Sequence, residues 1–465
     1  MRKILAGAAF LSFCLGMSGI SCAVSLDFGG SVYSVDNSNI PSPSAPMVVP
    51  VNAPSVKAAK EWTVMIFMNG KNDLEMAGLY NVNQMEKAGS TEDINIVVEL
   101  GRMNGQADGG ADLDGNWTGS RRFFIEKDAD EAKIISPVVQ QDDKVDMGDY
   151  KRVVDFVNWA KKNYPAQKYM LILWDHGAGW LDQKRTEKTA DKGISSDDET
   201  NNYIRTRQIG RILKDSGKVD ILAFDACMMQ MSEVAFEVKD KTDVIVGSEE
   251  TAPDRGYPYD LFLDVLAKNP AMDAETLGAV MVDAFQMFYD AIGKVAQLSA
   301  IRSSQLGDLG TKVSEFAALA KEVNDVDALK AARAGVMRYD IVGKESDPQK
   351  TISFYGDLHN YVGLVAAAIK VEPWVPTKAA ALKLKVAALQ DFIDKQLVIN
   401  TKATGKDRLG RDMADSHGIS IYLPPAEVRI PQENLEVIFE SKYTDFEFDK
   451  ATKWHDFVTY LYGVK

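Results

Sequence analysis

Five stretches of the chain are predominantly apolar, at residues 62–68, 94–100, 169–174, 219–224 and 244–246. Runs of this length, bounded by polar turn residues, read as buried strands. Between them apolar positions recur at helical spacing, over residues 74–88 and most clearly over 150–162, where Val153, Val154, Phe156, Val157 and Ala160 share a face and Pro165 closes the segment. A further strand is expected around 122–125. Strand and helix in alternation predict a mostly parallel sheet covered by helices on both faces. Beyond residue 260 the pattern changes to long amphipathic segments at 274–296, 304–323, 326–337, 357–370 and 377–397. These read as helices, packed either against the sheet or in a C-terminal subdomain. A late strand is expected at 418–423, before Pro424-Pro425, and an aromatic-rich close at 444–462. The expected division is a folded domain over 61–260 and a helix-rich region over 261–465 that contributes a late strand.

The first 23 residues have a different pattern. Arg2-Lys3 precede an apolar run that ends in small residues, which reads as an export signal. Two processing readings stand side by side: Ser21-Cys22-Ala23 fits a signal-peptidase site, and Gly19-Ile20-Ser21-Cys22 is an imperfect lipid-attachment box. In the first case the protein is secreted or periplasmic. In the second, a lipid on Cys22 anchors it to the cell envelope, its one contact with a membrane. Residues 24–60, with Pro41, Pro43, Pro46, Pro50 and Pro54 among Ser, Asn and Ala, read as an extended linker or leader. No later run of 18 apolar residues follows.

Composition narrows the class. The 465 residues are 46% hydrophobic and 26% charged, enough for a large core. Acidic residues outnumber basic ones by 67 to 53, for a formal charge of -14 with no long basic run, which argues against nucleic acid as a partner. Of three cysteines, Cys14 and Cys22 fall in the signal, so only Cys227 remains in the folded body and no disulfide can form there.

Cys227 follows the apolar run 219–224, and a helical pattern follows it in turn. The expectation is strand, sharp turn, helix, with the thiol near a helix N-terminus where thiolate is favoured. A buried structural cysteine is the alternative on spacing alone. His176 follows the run 169–174 in the same way and is succeeded by Gly177 and Gly179, which suit a site at the carboxyl end of a parallel sheet. The two residues are 51 apart (227 − 176); neighbouring strands would let imidazole and thiol meet. In the Gly- and Asp-rich stretch 101–117, Asp108, Asp112 and Asp114 admit a calcium reading, but the 12-residue loop pattern with a terminal Glu is missing and a solvated loop is the better account.

The segments WTVMIFMNGKNDLE, LILWDHGAGW, DILAFDACMM and HGISIYLP, in that order, resemble the clostripain family of cysteine peptidases. The resemblance covers residues 61–260, with weaker echoes in QLSAIRSSQL and HGISIYLPP. It implies the caspase-like fold, a three-layer α/β/α sandwich shared with caspases, legumains, gingipains and separase. It further implies a dyad of Cys227 as nucleophile and His176 as proton carrier, with an oxyanion hole from the backbone N–H groups of Gly177 and Cys227. Asp225 would select Arg or Lys before the scissile bond, with Asp254, Glu249 or Glu250 adding acidity to that pocket. The alternative role for Asp225 is a helix cap, and for Gly177 a tight turn. Protein or peptide substrates with a basic residue before the cut are the implied partners.

Family members often mature by cutting themselves between the histidine and the cysteine. The polar segment 181–203 offers Lys184, Arg185, Lys188 and Lys192 for this, or else is an uncut surface loop. The chemistry needs no cofactor; the family resemblance brings in calcium without assigning ligands, so any metal ligands remain unknown. One departure from the family pattern is Lys71-Asn72-Asp73, where Asp-Asn-Asn or Asp-Asn-Asp is common, which leaves that loop without a role. His417-Gly418 is a rival histidine; preceding its strand, it is expected at the edge opposite the nucleophile. His359 and His455, in apparent helices, read as surface or packing residues. A catalytically inert exported binding protein with the same fold is the competing functional class. An α/β hydrolase or a nucleotide-binding protein ranks below both, because neither G-x-S-x-G nor a glycine-rich phosphate loop follows any strand.

Overall fold

The computed structural model describes residues 24–27, 32–35, 59–104, 111–182, 193–339, 354–371, 377–407, 410–425 and 440–463. The export signal with Cys22, Asp108, and the basic residues Lys184, Arg185, Lys188 and Lys192 lie outside them. Of Asp112 only the backbone is described. The N-terminal unit, residues 1–50, contains a hairpin in which Val24–Asp27 pairs antiparallel with Val32–Val35. This departs from the extended linker expected there: Val24 and Leu26 alternate with polar positions, and Gly29-Gly30 stands in the sequence between the two strands.

The second unit, residues 51–465, is built on a nine-stranded sheet. Its strands are β1 (Lys60–Gly70), β2 (Ile94–Arg102), β3 (Gly119–Phe124), β4 (Val138–Asp142), β5 (Ala166–Trp174), β6 (Val219–Asp225), β7 (Thr242–Gly247), β8 (Ala296–Arg302) and β9 (Val398–Thr404). They lie in the order β9-β8-β7-β6-β5-β1-β2-β3-β4. The five central strands, β7-β6-β5-β1-β2, are mutually parallel, and an antiparallel pair extends the sheet on each side. The chain order reverses between β1 and β5, which makes the crevice beyond their carboxyl ends the favoured place for a ligand in an open α/β sheet.

Alternate residues of the central strands face opposite layers, as strand geometry requires. Met65, Phe67, Leu171, Leu173, Leu222 and Phe224 pack in one buried cluster with Val153, Phe156 and Val157 of the helix Tyr150–Asn163. On the other face the helix Ala274–Ala291 comes against Val244, Val246 and Ala300 at Gly278. Both faces are thus dry, which explains why these strands are apolar at successive positions instead of alternating. The helix Tyr150–Asn163 begins where the Asp149 carboxylate accepts the Lys151 N–H, and it carries Lys161 and Lys162 in its last turn, as the helix dipole favours.

The region beyond residue 260 supplies β8 and β9 to this same sheet. Residues 296–302, whose mixed polarity concealed them, form β8 directly after the helix that the periodicity located. The late strand is present as Ser420–Tyr422, but it belongs to a separate three-stranded sheet with Arg338–Tyr339 and Tyr355–Asp357. Among the described residues no helix is long and apolar enough to cross a membrane.

Candidate active site

β5 and β6 are parallel neighbours in which Trp174 stands opposite Asp225. The pairing runs one step further, since the Asp175 N–H donates to the Asp225 carbonyl at 3.2 Å. The residues that follow, His176 on one strand and Cys227 on the other, therefore leave the sheet side by side. Both line one cleft together with Asp225, Ala252, Asp254 and Gly256.

The cysteine does not sit at a helix N-terminus. β6 ends at Asp225 and the next helix, Ser232–Glu237, starts five residues past Cys227. In between, Met228 adopts a left-handed φ of 55°, and the loop is tied to the turn after β7 through Met228 N–H to Glu250 carbonyl at 3.1 Å and Gln230 N–H to Ser248 carbonyl at 2.9 Å. Apolar Met229 and Met231, read as the start of a helix, instead fill the core beneath this loop.

Gly177 is pressed against this turn. A Cβ at position 177 would fall 2.3 Å from the Cys227 carbonyl oxygen, so the close approach of the two backbones requires glycine. Its neighbour Gly179 has a φ of 61° and presents its carbonyl to the Thr206 hydroxyl at 3.1 Å. The loop is then clamped by the C-terminal region: the Tyr355 hydroxyl donates to the Ala178 carbonyl at 2.5 Å, and the buried Trp180 packs edge-on against Tyr422 and Tyr443.

A model of the clostripain family matches residues 66–461. The chain belongs to the clostripain family. It is 27% identical over 220 residues to clostripain of Hathewaya histolytica, a match spanning 43% of this chain and 41% of that curated relative. Among solved structures it is similar in fold to an inactive zymogen C11 protease from Parabacteroides distasonis (TM-score 0.60, 19% identity, covering 87% of this chain and 99% of that one). It is likewise similar to a secreted C11 cysteine protease from Bacteroides thetaiotaomicron in complex with an irreversible peptide inhibitor (TM-score 0.58, 19% identity, 85% and 99%). The fold is the caspase-like α/β/α sandwich; of the clostripain-family motifs named above, three fall on the ends of β1, β5 and β6, and HGISIYLP falls on Ser420–Tyr422 of the small sheet.

The resting electrostatics of this clostripain-family site differ from the sequence expectation. Burial pushes the Cys227 thiol up to about 11, with Glu250 and Asp225 adding to the rise, while the Ala252 N–H at 3.3 Å and the Gly177 backbone N–H pull the other way. Cys227 is half-buried at the cleft, and a thiol pKa raised in this way leaves the sulfur mostly protonated near pH 7. Asp225 does not cap a helix. It is buried at the cleft, where its Oδ2 accepts the Tyr257 N–H at 3.0 Å and the Tyr259 hydroxyl at 2.9 Å, and burial raises its carboxyl to about 7. Gly256, with a φ of 65°, lets the chain pass directly over that carboxylate: a Cβ there would be 2.7 Å from Oδ2. Asp254 lines the same cleft and is exposed. Glu249 is buried and turned elsewhere, accepting the Gly418 N–H at 2.8 Å.

The loop after β1, left without a role by the sequence, is the one that reaches His176. Asp73 Oδ1 lies 2.7 Å from His176 Nε2. Its neighbours hold it in place. Asn72 Nδ2 donates to the buried Asp175 carboxylate at 2.7 Å and to the Ser196 carbonyl at 2.9 Å. Lys71, fully buried, donates to Glu199 at 2.5 Å and to the Val145 carbonyl at 2.6 Å, with Asp197 at 3.6 Å. The signal in the sequence was polar Lys-Asn-Asp directly after a fully buried strand, at a sheet edge that a ligand would use.

The other sequence candidates are accounted for elsewhere. Asp114 ends the short helix Ala111–Asp114, and its carboxylate is engaged by the Trp117 indole at 2.6 Å and by Arg121, so it is not the solvated loop residue expected. His417 lies outside the cleft, though for a different reason from the one anticipated: it stands just before a strand of the small sheet, with its ring stacked on His359. His455 pairs with Asp449 at 2.6 Å.

Proposed function

We propose that the protein is an exported cysteine endopeptidase that cleaves after basic residues through a dyad of Cys227 and His176. The observation that carries this reading is the buried Asp225 carboxylate at the cleft, two residues from a thiol that shares the cleft with an imidazole. A substrate Arg or Lys side chain meeting Asp225 forms a charge-assisted pair, and the planar guanidinium suits it best. Pairing also offsets one of the negative charges that hold the thiol pKa high, so the bound substrate itself favours the nucleophile.

Cys227 Sγ attacks the scissile carbonyl carbon, forming a C–S bond while the carbonyl electrons move to oxygen. The backbone N–H groups of Gly177 and Cys227 stabilise that oxyanion. With His176 Nε2 facing Asp73, proton transfer falls to Nδ1: the thiol proton passes by way of the imidazole to the departing amine as the C–N bond breaks. Water then releases the acyl group. No step calls for a cofactor, and calcium remains a proposal from the family alone.

Self-cleavage within 181–203 is part of the proposal. Asp182, on the near side, accepts the Thr206 N–H at 2.9 Å and the Ser441 hydroxyl at 2.5 Å. On the far side, Ile194 pairs with Ile204. A cut between them would leave both new ends held. A Cys227→Ala chain purified alone that still carried the same internal cut would remove this part of the proposal.

The deciding experiment is cleavage of fluorogenic peptides that differ only in the residue before the scissile bond, comparing Arg, Lys, Asn and Asp, with wild type and Asp225→Ala. Preference for Arg or Lys, lost in Asp225→Ala, is the expected result. Preference for Asn or Asp would reject the assignment of Asp225. Failure of an arginine- or lysine-derived acyloxymethyl ketone to label Cys227 would favour the inert binding protein.

A further inference from the structure

The chain has only four histidines, and two of them, 58 residues apart (417 − 359), stack ring on ring at a centroid distance of 3.8 Å and an interplanar angle of 29°. The buried Asp357 completes the group. One ligand atom from each of Asp357, His359 and His417 lies within 4.8 Å of the others. We propose that these three residues form a binding site for a divalent transition metal ion of the zinc class, outside the peptidase cleft.

The elements bring the three together without long side-chain reach. Asp357 ends the strand Tyr355–Asp357 and caps the helix Leu358–Ala368, whose first turn carries His359. Ser420 pairs with Asp357 across the small sheet, and His417 lies three residues upstream of it on the same strand edge. The Asp357 carboxylate is oriented by two backbone donors, Asn360 N–H to Oδ1 at 2.6 Å and His417 N–H to Oδ2 at 2.6 Å.

The donor set selects the ion. Two imidazoles with one carboxylate suit zinc and its neighbours, while calcium and magnesium prefer all-oxygen shells. The rest of the shell fits as well. Asp394 Oδ2 lies 3.4 Å from His359 Nε2 and the Gln390 amide nitrogen lies 3.4 Å from His359 Nδ1; with a metal at Nδ1 in place of that amide, Asp394 would orient the imidazole through its second nitrogen. On the protein side, Asp357 faces a second buried carboxyl, Glu249.

The site is joined to the peptidase cleft. Glu249 accepts the Gly418 N–H at 2.8 Å, and it stands between Ser248, which holds the Cys227 loop, and Glu250, whose carbonyl accepts the Met228 N–H. A metal at His417 would brace that turn from behind.

The test is a titration with zinc alone, against a chromophoric chelator, of the full chain carrying Cys227→Ala so that the cleft thiol does not bind the ion. The comparison is the same chain with His359→Ala or His417→Ala added; Cys14 and Cys22 contribute equally to all and cancel. The expected result is one further equivalent of zinc in the parent, weakened at least about tenfold by either histidine change, and a higher unfolding temperature on zinc addition in the parent alone. Equal zinc uptake and an unchanged unfolding temperature in parent and variants would overturn the proposal. If an alanine variant loses its far-ultraviolet circular dichroism, His417→Gln decides in its place, because it keeps a polar side chain of similar reach.

Discussion

Gly177 and Cys227 approach so closely that a methyl group on the first would lie 2.3 Å from the carbonyl oxygen of the second and 3.1 Å from its nitrogen. The loop after β5 thus rests on the peptide unit of Cys227 itself. Gly177→Ala must push the two apart, and with them the two N–H groups proposed to hold the oxyanion. Loss of one such donor costs about 10²–10³-fold in kcat. We expect a fall of that size with KM little changed, in a variant whose circular dichroism matches wild type. A KM effect alone would mean that Gly177 serves only the turn.

Asp73 orients His176 from a loop that also carries the buried Lys71. Asp73→Ala is expected to lower kcat by about tenfold or more, the range typical of losing a group that positions a proton carrier. Asp73→Asn keeps an acceptor oxygen and should recover part of the loss. Equal damage from both variants, or none from either, would mean that the contact does not set the ring.

The enclosed thiol gives a pH signature. With Cys227 raised to about 11 by burial, the thiolate fraction of the free protein should grow about tenfold per pH unit up to that value. Alkylation by iodoacetamide, followed by mass spectrometry, should therefore accelerate steadily from pH 7 to 10. A rate already on a plateau at pH 7 would show a low-pKa thiolate instead.

Asp225 should govern the acidic side of the activity profile. Its carboxyl is raised to about 7, so it is ionised, and able to pair a basic side chain, only above that pH. For an arginine substrate kcat/KM, which reports the free enzyme, should fall as pH drops through about 7. Tyr259→Phe removes the hydroxyl that lowers this value, so the acidic limb should move to higher pH. A shift to lower pH in that variant would contradict the role given to Asp225.

How much of this was written in the sequence depends on the kind of signal. The central strands were legible because burial on both faces makes them continuously apolar, and His176 and Cys227 were legible because reactive side chains stood directly after such runs. β8, with Gln297, Ser299 and Arg302, was not. Its polar groups are buried but partnered: Ser299 donates to the Gly418 carbonyl at 2.8 Å, and Gln297 accepts the Glu249 N–H at 2.6 Å. The helix expected directly after Cys227 failed for a related reason, because methionines at 228, 229 and 231 fit a core-filling loop as readily as an amphipathic turn. Asp73 and the Asp357, His359 and His417 group depend on contacts between distant segments, which periodicity does not record.

The order of strands in the sheet has a consequence for how the chain is made. β1, β2, β5, β6 and β7 are complete once residue 247 has emerged, but the outer edge of β7 is covered only by β8, whose first residue comes 49 positions later (296 − 247), and β8 only by β9, ending at 404. Until then a nascent chain presents an open apolar edge, the feature that invites pairing between molecules. A version ending at residue 260 would hold His176 and Cys227 on a sheet with that edge permanently bare, so the chain beyond residue 260 acts as the built-in guard against aggregation.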